Sequence, residues 1–195
     1  MCSRYELTAN PHRLVERFDL SVAPPDLARA EIRPTDTSLV ITADGVRRGL
    51  ALSWGLASWD GKPLINARAE TLTEKKSFRP LLERRCLVPA TAYFEWRHDG
   101  KKRLKNRVVP ADGGLVSFAG LRDDDRFVIV TCPAVPNIAE VNDRMPVILD
   151  GAAEDLWLDP KTPFDAVAWT LQPFGGALNA REDAPPPPRQ GDLFG

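Results

Sequence analysis

Short runs in which apolar and polar residues alternate dominate the middle of the chain, and a period of two marks half-buried strands. Residues 39–42 and 47–56 are two such runs, and Asp44-Gly45 between them suits a tight hairpin turn. Residues 86–96 open a second strand-rich stretch, which Asp99-Gly100 turns back into residues 101–109. Residues 115–121 and 126–132 predict a further pair across the acidic turn at Asp123, Asp124 and Asp125, and residues 145–149 a short strand. Helical signals are fewer. Asn10 is a good N-cap and Pro11 suits a first helical position, so a helix is expected from there to about Phe18. Phe78, Leu81 and Leu82 share a face over residues 77–85, which predicts another. Residues 151–158 predict a third, and residues 166–171 fit either a strand or a helix. Residues 21–36 read as a proline-rich loop and residues 58–74 as irregular polar chain. Many strands with few helices predict an α+β fold, a curled mixed or antiparallel β-sheet forming a barrel-like core with a few peripheral helices.

At 195 residues the chain suits one domain with a sizeable core, placed here over residues 2–180. Pro185 to Pro188 form a run that cannot pack as a helix, so residues 181–195 are expected to be a flexible tail. No apolar run reaches about 18 residues, and the first ten residues lack an apolar segment, so neither a membrane span nor a secretory signal is expected. The three cysteines, Cys2, Cys86 and Cys132, are odd in number and lack metal-ligand spacing. They fit a reducing cytoplasm, without disulfides, metal or other cofactor. The net charge of −1 leaves nucleic-acid binding to a local patch. Arg84 and Arg85, close to Lys75, Lys76 and Arg79, form one candidate, and the stretch from Arg97 to Arg107 another. Such runs are equally the mark of a solvated face.

Cys2 carries the most specific chemistry. If Met1 is removed, Cys2 bears an α-amine and a thiol on adjacent carbons. One adds to an aldehyde and the other then closes a five-membered thiazolidine ring. Their ordinary pKa values, roughly 8 and 8.5, leave useful fractions of neutral amine and thiolate near neutral pH.

Further motifs align with it: Cys2-Ser3-Arg4-Tyr5, Trp54-Gly55, Asn66-Ala67-Arg68-Ala69-Glu70-Thr71, Arg84-Arg85-Cys86-Leu87-Val88-Pro89 leading to Tyr93-Phe94-Glu95-Trp96, Phe118-Ala119-Gly120-Leu121, and Arg144-Met145-Pro146-Val147-Ile148-Leu149. In order and spacing they resemble the SOS response-associated peptidase (SRAP) family, the abasic-site processing proteins, over nearly everything from residue 2 to about residue 180. The resemblance implies single-stranded DNA bearing an abasic site as partner. It also implies a covalent thiazolidine between the ring-opened sugar and the mature N-terminal cysteine, shielding the lesion. Removal of Met1 by the protein's own peptidase activity or by the ordinary methionine aminopeptidase, lyase chemistry, a link to the SOS response, and a cytoplasmic monomer that joins the nucleoid through DNA belong to the same expectation.

By match to the motifs, Asn66 sits beside Cys2, where its amide hydrogen-bonds the sugar hydroxyl or the attacking amine. Glu95 among aromatics has its charged form disfavoured, which suits proton exchange with the Cys2 amine and the sugar. Alternation puts Tyr93 and Glu95 on one face and Phe94 and Trp96 on the other, a pattern that an outward-facing Glu95 fits equally. Arg4, Arg68 and Arg144 match phosphate-contacting positions, because a guanidinium fork holds two phosphate oxygens at once. Trp54 matches an aromatic lying against DNA, with core packing as the alternative.

Two departures stand out. Where the family carries a histidine two residues before the Arg-Met-Pro segment, this chain has Asn142, which hydrogen-bonds but does not titrate. Crosslinking is expected to survive, with proton-dependent ring opening or reversal slowed. Asp143 and His98 are the nearest alternative carriers in sequence. Ser3 replaces a common glycine, with little effect expected. The alternatives are a non-catalytic single-stranded DNA-binding relative and a peptidase using Cys2 as N-terminal nucleophile. At the C-terminus Gln190, Leu193 and Phe194 resemble the short motif by which bacterial proteins bind the replication sliding clamp.

Overall fold

The computed structural model describes residues 2–183. Its strands, in chain order, are β1 (Arg4–Leu7), β2 (Arg29–Ile32), β3 (Thr37–Asp44), β4 (Val46–Trp54), β5 (Asn66–Arg68), β6 (Arg85–Ala90), β7 (Ala92–Asp99), β8 (Lys102–Pro110), β9 (Val116–Arg122), β10 (Arg126–Pro133), β11 (Arg144–Pro146), β12 (Ile148–Leu149) and β13 (Leu178–Glu182). The helices are α1 (Pro11–Phe18), α2 (Pro136–Ala139), α3 (Gly151–Leu158) and α4 (Phe164–Val167).

Five strands form one sheet, in the order β13-β8-β7-β1-β2. The other sheet has eight strands, with β5 beside β10, and an added β9–β10 pairing lets the path β10-β4-β3-β6-β9 return to its start. The closure is tight at Gly120: a Cβ there would lie 2.8 Å from Cys86 Sγ and 3.2 Å from the Val128 carbonyl oxygen. Inside the curl Tyr5 stands edge-on to Trp54 (centroids 5.2 Å apart) and to Phe118 (6.1 Å), and Trp54 stacks on Phe127 (6.5 Å). Burying these rings supplies a large share of the driving force for folding. The α+β class and the curled sheet with peripheral helices match the sequence expectation.

Local chemistry explains most boundaries. The Asn10 side chain accepts from the Arg13 amide at 2.9 Å and starts α1. Asp150 does the same for α3 through the Ala153 amide. Gly45, at φ 75°, makes the β3–β4 turn. The helix expected over residues 77–85 is instead a short 3-10 turn, Arg79–Leu81; Pro80 removes a backbone donor and disfavours a helical Arg79. The apolar run 86–96 is two strands in different sheets. The chain turns the corner at Thr91, whose amide and hydroxyl both bond to Glu6. Residues 166–171 resolve as the end of α4 and a 3-10 turn, Ala168–Thr170. β2 and β5 lie inside segments expected to be loop, and β13 carries regular pairing to Arg181 and Glu182, opposite Arg107 and Asn106. From residue 184 on, the expected tail, with Gln190, Leu193 and Phe194, lies outside the described residues. Among the described residues no helix is long and apolar enough to cross a membrane.

Candidate active site

β1 lies antiparallel to β7, with Arg4 opposite Phe94 and Tyr5 opposite Tyr93. The same register carries the residues before Arg4 over Glu95. Alternation along β7 turns Tyr93 and Glu95 to one side, and both are buried there, so the outward-facing alternative for Glu95 is excluded. Cys2 is fully buried, its Sγ 3.6 Å from the Arg4 carbonyl oxygen. From the third side comes β5, held parallel to β10 with Asn66 opposite Ile129. The Asn66 Nδ2 donates to the Cys2 carbonyl at 2.6 Å. The structure thus brings together Cys2, Asn66 and Glu95, which lie far apart in sequence.

Their electrostatics follow from burial. Glu95 is 1% exposed, and burial lifts its carboxyl from 4.5 to about 7, with Asp143 adding to the rise. Burial, then Glu95, push the Cys2 thiol far above its ordinary range. Cys132 rises to about 11 and Cys86 to about 12 for the same first reason, burial. The thiol is therefore held as S–H, beside a carboxyl balanced between its two forms near neutral pH.

Several expected DNA contacts sit otherwise than expected. Trp54 is 0% exposed and its Nε1 donates to the Ile65 carbonyl at 2.9 Å. The ring packs between Tyr5 and Phe127 in the core, and Trp54 anchors the residue before Asn66. Arg85 is buried, donating to the Asp159 and Thr162 carbonyls at 2.8 and 2.6 Å, with its guanidinium over Trp157. It ties the sheet to the loop after α3 and is not available to a phosphate. Arg84 pairs with Asp124, and β9 and β10 separate its strand end from β5 and Asn66. Arg144 is only 11% exposed, its fork closed on Glu70 at 2.5 and 3.0 Å and on the Thr131 carbonyl at 2.8 Å. It clasps β11 to the turn after β5. Arg4 is partly exposed, donating to the Ser3 carbonyl at 2.6 Å with Glu31 at 3.5 Å. Arg68 is exposed at the end of β5. Of the stretch 97–107, Lys105 pairs with Glu31 and Asp183, Arg107 with Glu6 and Arg97 with Glu182, so half of its six cations are ion-paired.

An aromatic that pattern reading passed over is better placed. Trp59 is 98% exposed, at the tip of the turn closed by the Gly61 amide to the Ser58 carbonyl. That loop is pinched by the Leu56–Leu64 pairing and runs directly into Asn66. Its seven-residue separation from Asn66 was legible; its exposure was not.

Asn142 shapes the turn before β11: its Oδ1 accepts from the Arg144 amide at 3.1 Å, and its own amide donates to the Ile138 carbonyl at 3.0 Å. Asp143 reaches Glu95 electrostatically. His98 is exposed near the β7–β8 hairpin tip, opposite Arg103, and belongs to a different part of the surface. Among the described residues no group of three or more His, Cys, Asp or Glu is placed to hold a metal ion. Two surface cavities of about 620 and 610 Å³ lie beside α3 and α1, and neither is lined by Cys2, Asn66 or Glu95.

The sequence model of the SOS response associated peptidase (SRAP) family matches residues 1–182. The chain is similar to the abasic site processing protein YoqW of Bacillus subtilis, 35% identical over 89% of this chain and 88% of the relative. It is also similar to YedK of Escherichia coli, an abasic site processing protein, 31% identical over 74% and 70% of the two chains. A crystal structure of a protein from Bacteroides thetaiotaomicron superposes with a TM-score of 0.82 at 25% identity, covering 93% of this chain and 91% of that one.

Proposed function

The chain belongs to the SOS response associated peptidase (SRAP) family, and from that premise we propose that it captures abasic sites in single-stranded DNA as a covalent thiazolidine on Cys2. The observation that carries the reading is the buried Cys2 held by Asn66 beside the buried Glu95 carboxyl, whose pKa burial raises. Removal of Met1 frees the Cys2 amine. The amine adds to the aldehyde carbon of the ring-opened sugar and forms a carbinolamine. Loss of its oxygen as water leaves an iminium. The thiol then adds to the same carbon, its proton is released to solvent or Glu95, and the ring closes with a net loss of one water. Because the thiol is held as S–H, the amine attacks first and thiol deprotonation accompanies ring closure.

A carboxyl half-protonated near neutral pH takes a proton from the attacking amine and returns it to the departing oxygen. The Asn66 Oδ1 is buried, without a hydrogen-bond partner among the described residues, and is left to accept from the sugar hydroxyl. Arg68 and Arg4 contact flanking phosphates, and Trp59 stacks a neighbouring base. With Asn142 committed through Oδ1 to the turn, adduct formation proceeds while ring opening and reversal are slow; equal rates for wild type and Asn142→His would remove that residue from the account.

The test is incubation with single-stranded DNA carrying one abasic site, followed by a denaturing gel. A heat-stable shifted band that disappears in Cys2→Ala is expected. Asn142 favours one second reading, a relative that binds single-stranded DNA without reacting; binding with no band would support it. Peptide cleavage with neither would favour an N-terminal-nucleophile peptidase. Tethering to the sliding clamp through Gln190, Leu193 and Phe194 is a separate proposal, and loss of clamp pull-down on Leu193→Ala/Phe194→Ala is its expected outcome.

A further inference from the structure

Tyr93 is 2% exposed, and its hydroxyl is buried with no hydrogen-bond partner among the described residues. Folded chains rarely leave such a group unmet, because it lowers stability with no return from packing. The ring itself is accounted for: it stands edge-on to Phe118, centroids 6.1 Å apart, and a phenylalanine would fill that place. Only the hydroxyl lacks a structural explanation.

Its position supplies one. Tyr93 is two residues before Glu95 on β7, on the same side of the strand, and directly opposite Tyr5 on the strand that delivers Cys2. The ionisable groups whose charge reaches its hydroxyl are Cys2, Glu95 and Cys132. Tyr5 also has a buried hydroxyl, but it faces the Ser38 hydroxyl as a hydrogen-bonding neighbour, with Cys2, Cys86 and Asp36 beyond, inside the curl and without Glu95. Burial drives the Tyr93 phenol far above its ordinary range, so it stays O–H and acts as a donor, never as a base.

We propose that Tyr93 is a further catalytic residue, its O–H donating a hydrogen bond to the oxygen that leaves the sugar carbon during capture at Cys2. The inference rests on the crosslinking reading above. In the step concerned the nitrogen lone pair forms the C=N bond as the C–O bond breaks. The oxygen departs as water with a proton from Glu95, and Tyr93 keeps its own proton throughout. A fixed donor aimed at a developing charge costs stability in the empty site and returns it in the transition state.

The experiment compares wild type, Tyr93→Phe and Cys2→Ala on one abasic oligonucleotide. Single-turnover adduct formation is followed from about pH 5 to about pH 9, with thermal unfolding and binding to undamaged single-stranded DNA measured alongside. Tyr93→Phe should slow adduct formation about a hundred- to a thousand-fold. It should leave the inflection set by Glu95 where it was, bind undamaged DNA within about two-fold of wild type, and melt at the same or a higher temperature. A Tyr93→Phe rate equal to a Cys2-dependent wild-type rate overturns the proposal while leaving the crosslinking reading intact. A drop in melting temperature of several degrees overturns it too, since the hydroxyl would then be structural. If wild type forms no Cys2-dependent adduct, the crosslinking reading itself fails and Tyr93 loses its role with it.

Discussion

Two buried carboxylates, Glu95 and Glu154, are each 1% exposed, yet the polar groups around them differ. Glu154 on α3 receives the Arg17 fork at 2.7 and 3.0 Å and the Ser117 hydroxyl at 2.8 Å, while Arg17 Nε reaches the Leu115 carbonyl at 3.2 Å. Charge and donors are matched, and the network pins α1 and α3 to β9. Around Glu95 the Tyr93 hydroxyl and the Asn66 Oδ1 are buried without partners among the described residues, and burial lifts the carboxyl to about 7. One region uses buried polarity to fix the fold. The other keeps it available for a substrate, at some loss of stability.

The comparison breaks most readily at its stable end. Arg17→Met strands the Glu154 charge, and removing one partner of a buried pair costs about 3–5 kcal/mol. Because Arg17 is 32% exposed, the low end is expected, a melting fall of roughly 10 °C, with adduct formation at low temperature unchanged. Glu95→Gln should do the reverse. General acid–base help is worth about 10²–10⁴ in rate, so adduct formation should slow at least about a hundred-fold while the fold gains. The sign follows from linkage: with its pKa raised from 4.5 to about 7, the folded chain holds a proton that the unfolded chain has released. Wild type therefore loses stability as pH rises through that window. Urea unfolding should find the glutamine variant more stable than wild type at about pH 8, and the difference largely gone at about pH 4.

Smaller effects sharpen the boundary of the reactive region. Trp59→Ala removes a ring that contributes nothing to the core and should weaken single-stranded DNA binding by about 1–3 kcal/mol, with no change in melting temperature. Trp54→Phe, by contrast, loses the bond to the Ile65 carbonyl and should slow adduct formation by loosening Asn66. Asn10→Ala, remote from both regions, should cost about 1 kcal/mol through its lost cap on α1 and leave the chemistry untouched.

What could be read in advance follows the range of the forces involved. The cap of α1, the helix α3, the Gly45 hairpin and the β9–β10 pair are local, and periodicity with cap and turn chemistry predicts them. The split of residues 86–96 at Thr91 was hidden because both halves are apolar and only their partners differ. β2, β5 and β13 are short and gain their order from neighbours far away in sequence. Motif spacing brought Cys2, Asn66 and Glu95 into one list, and the structure brings them into one place. The arginines resisted, because a guanidinium closed on Glu70, or buried beneath Asp159 and Thr162, has the same letter in the sequence as a free one. Trp54 and Trp59 differ by five positions and by the whole range of exposure.

The most direct measurement is the intact mass of the protein–DNA species formed with a single abasic oligonucleotide, isolated after heating and without borohydride. The account predicts the mass of the chain lacking Met1 plus the oligonucleotide minus one water, absent from Cys2→Ala. A covalent species that keeps Met1, that persists in Cys2→Ala, or that survives heating only after borohydride reduction would contradict it.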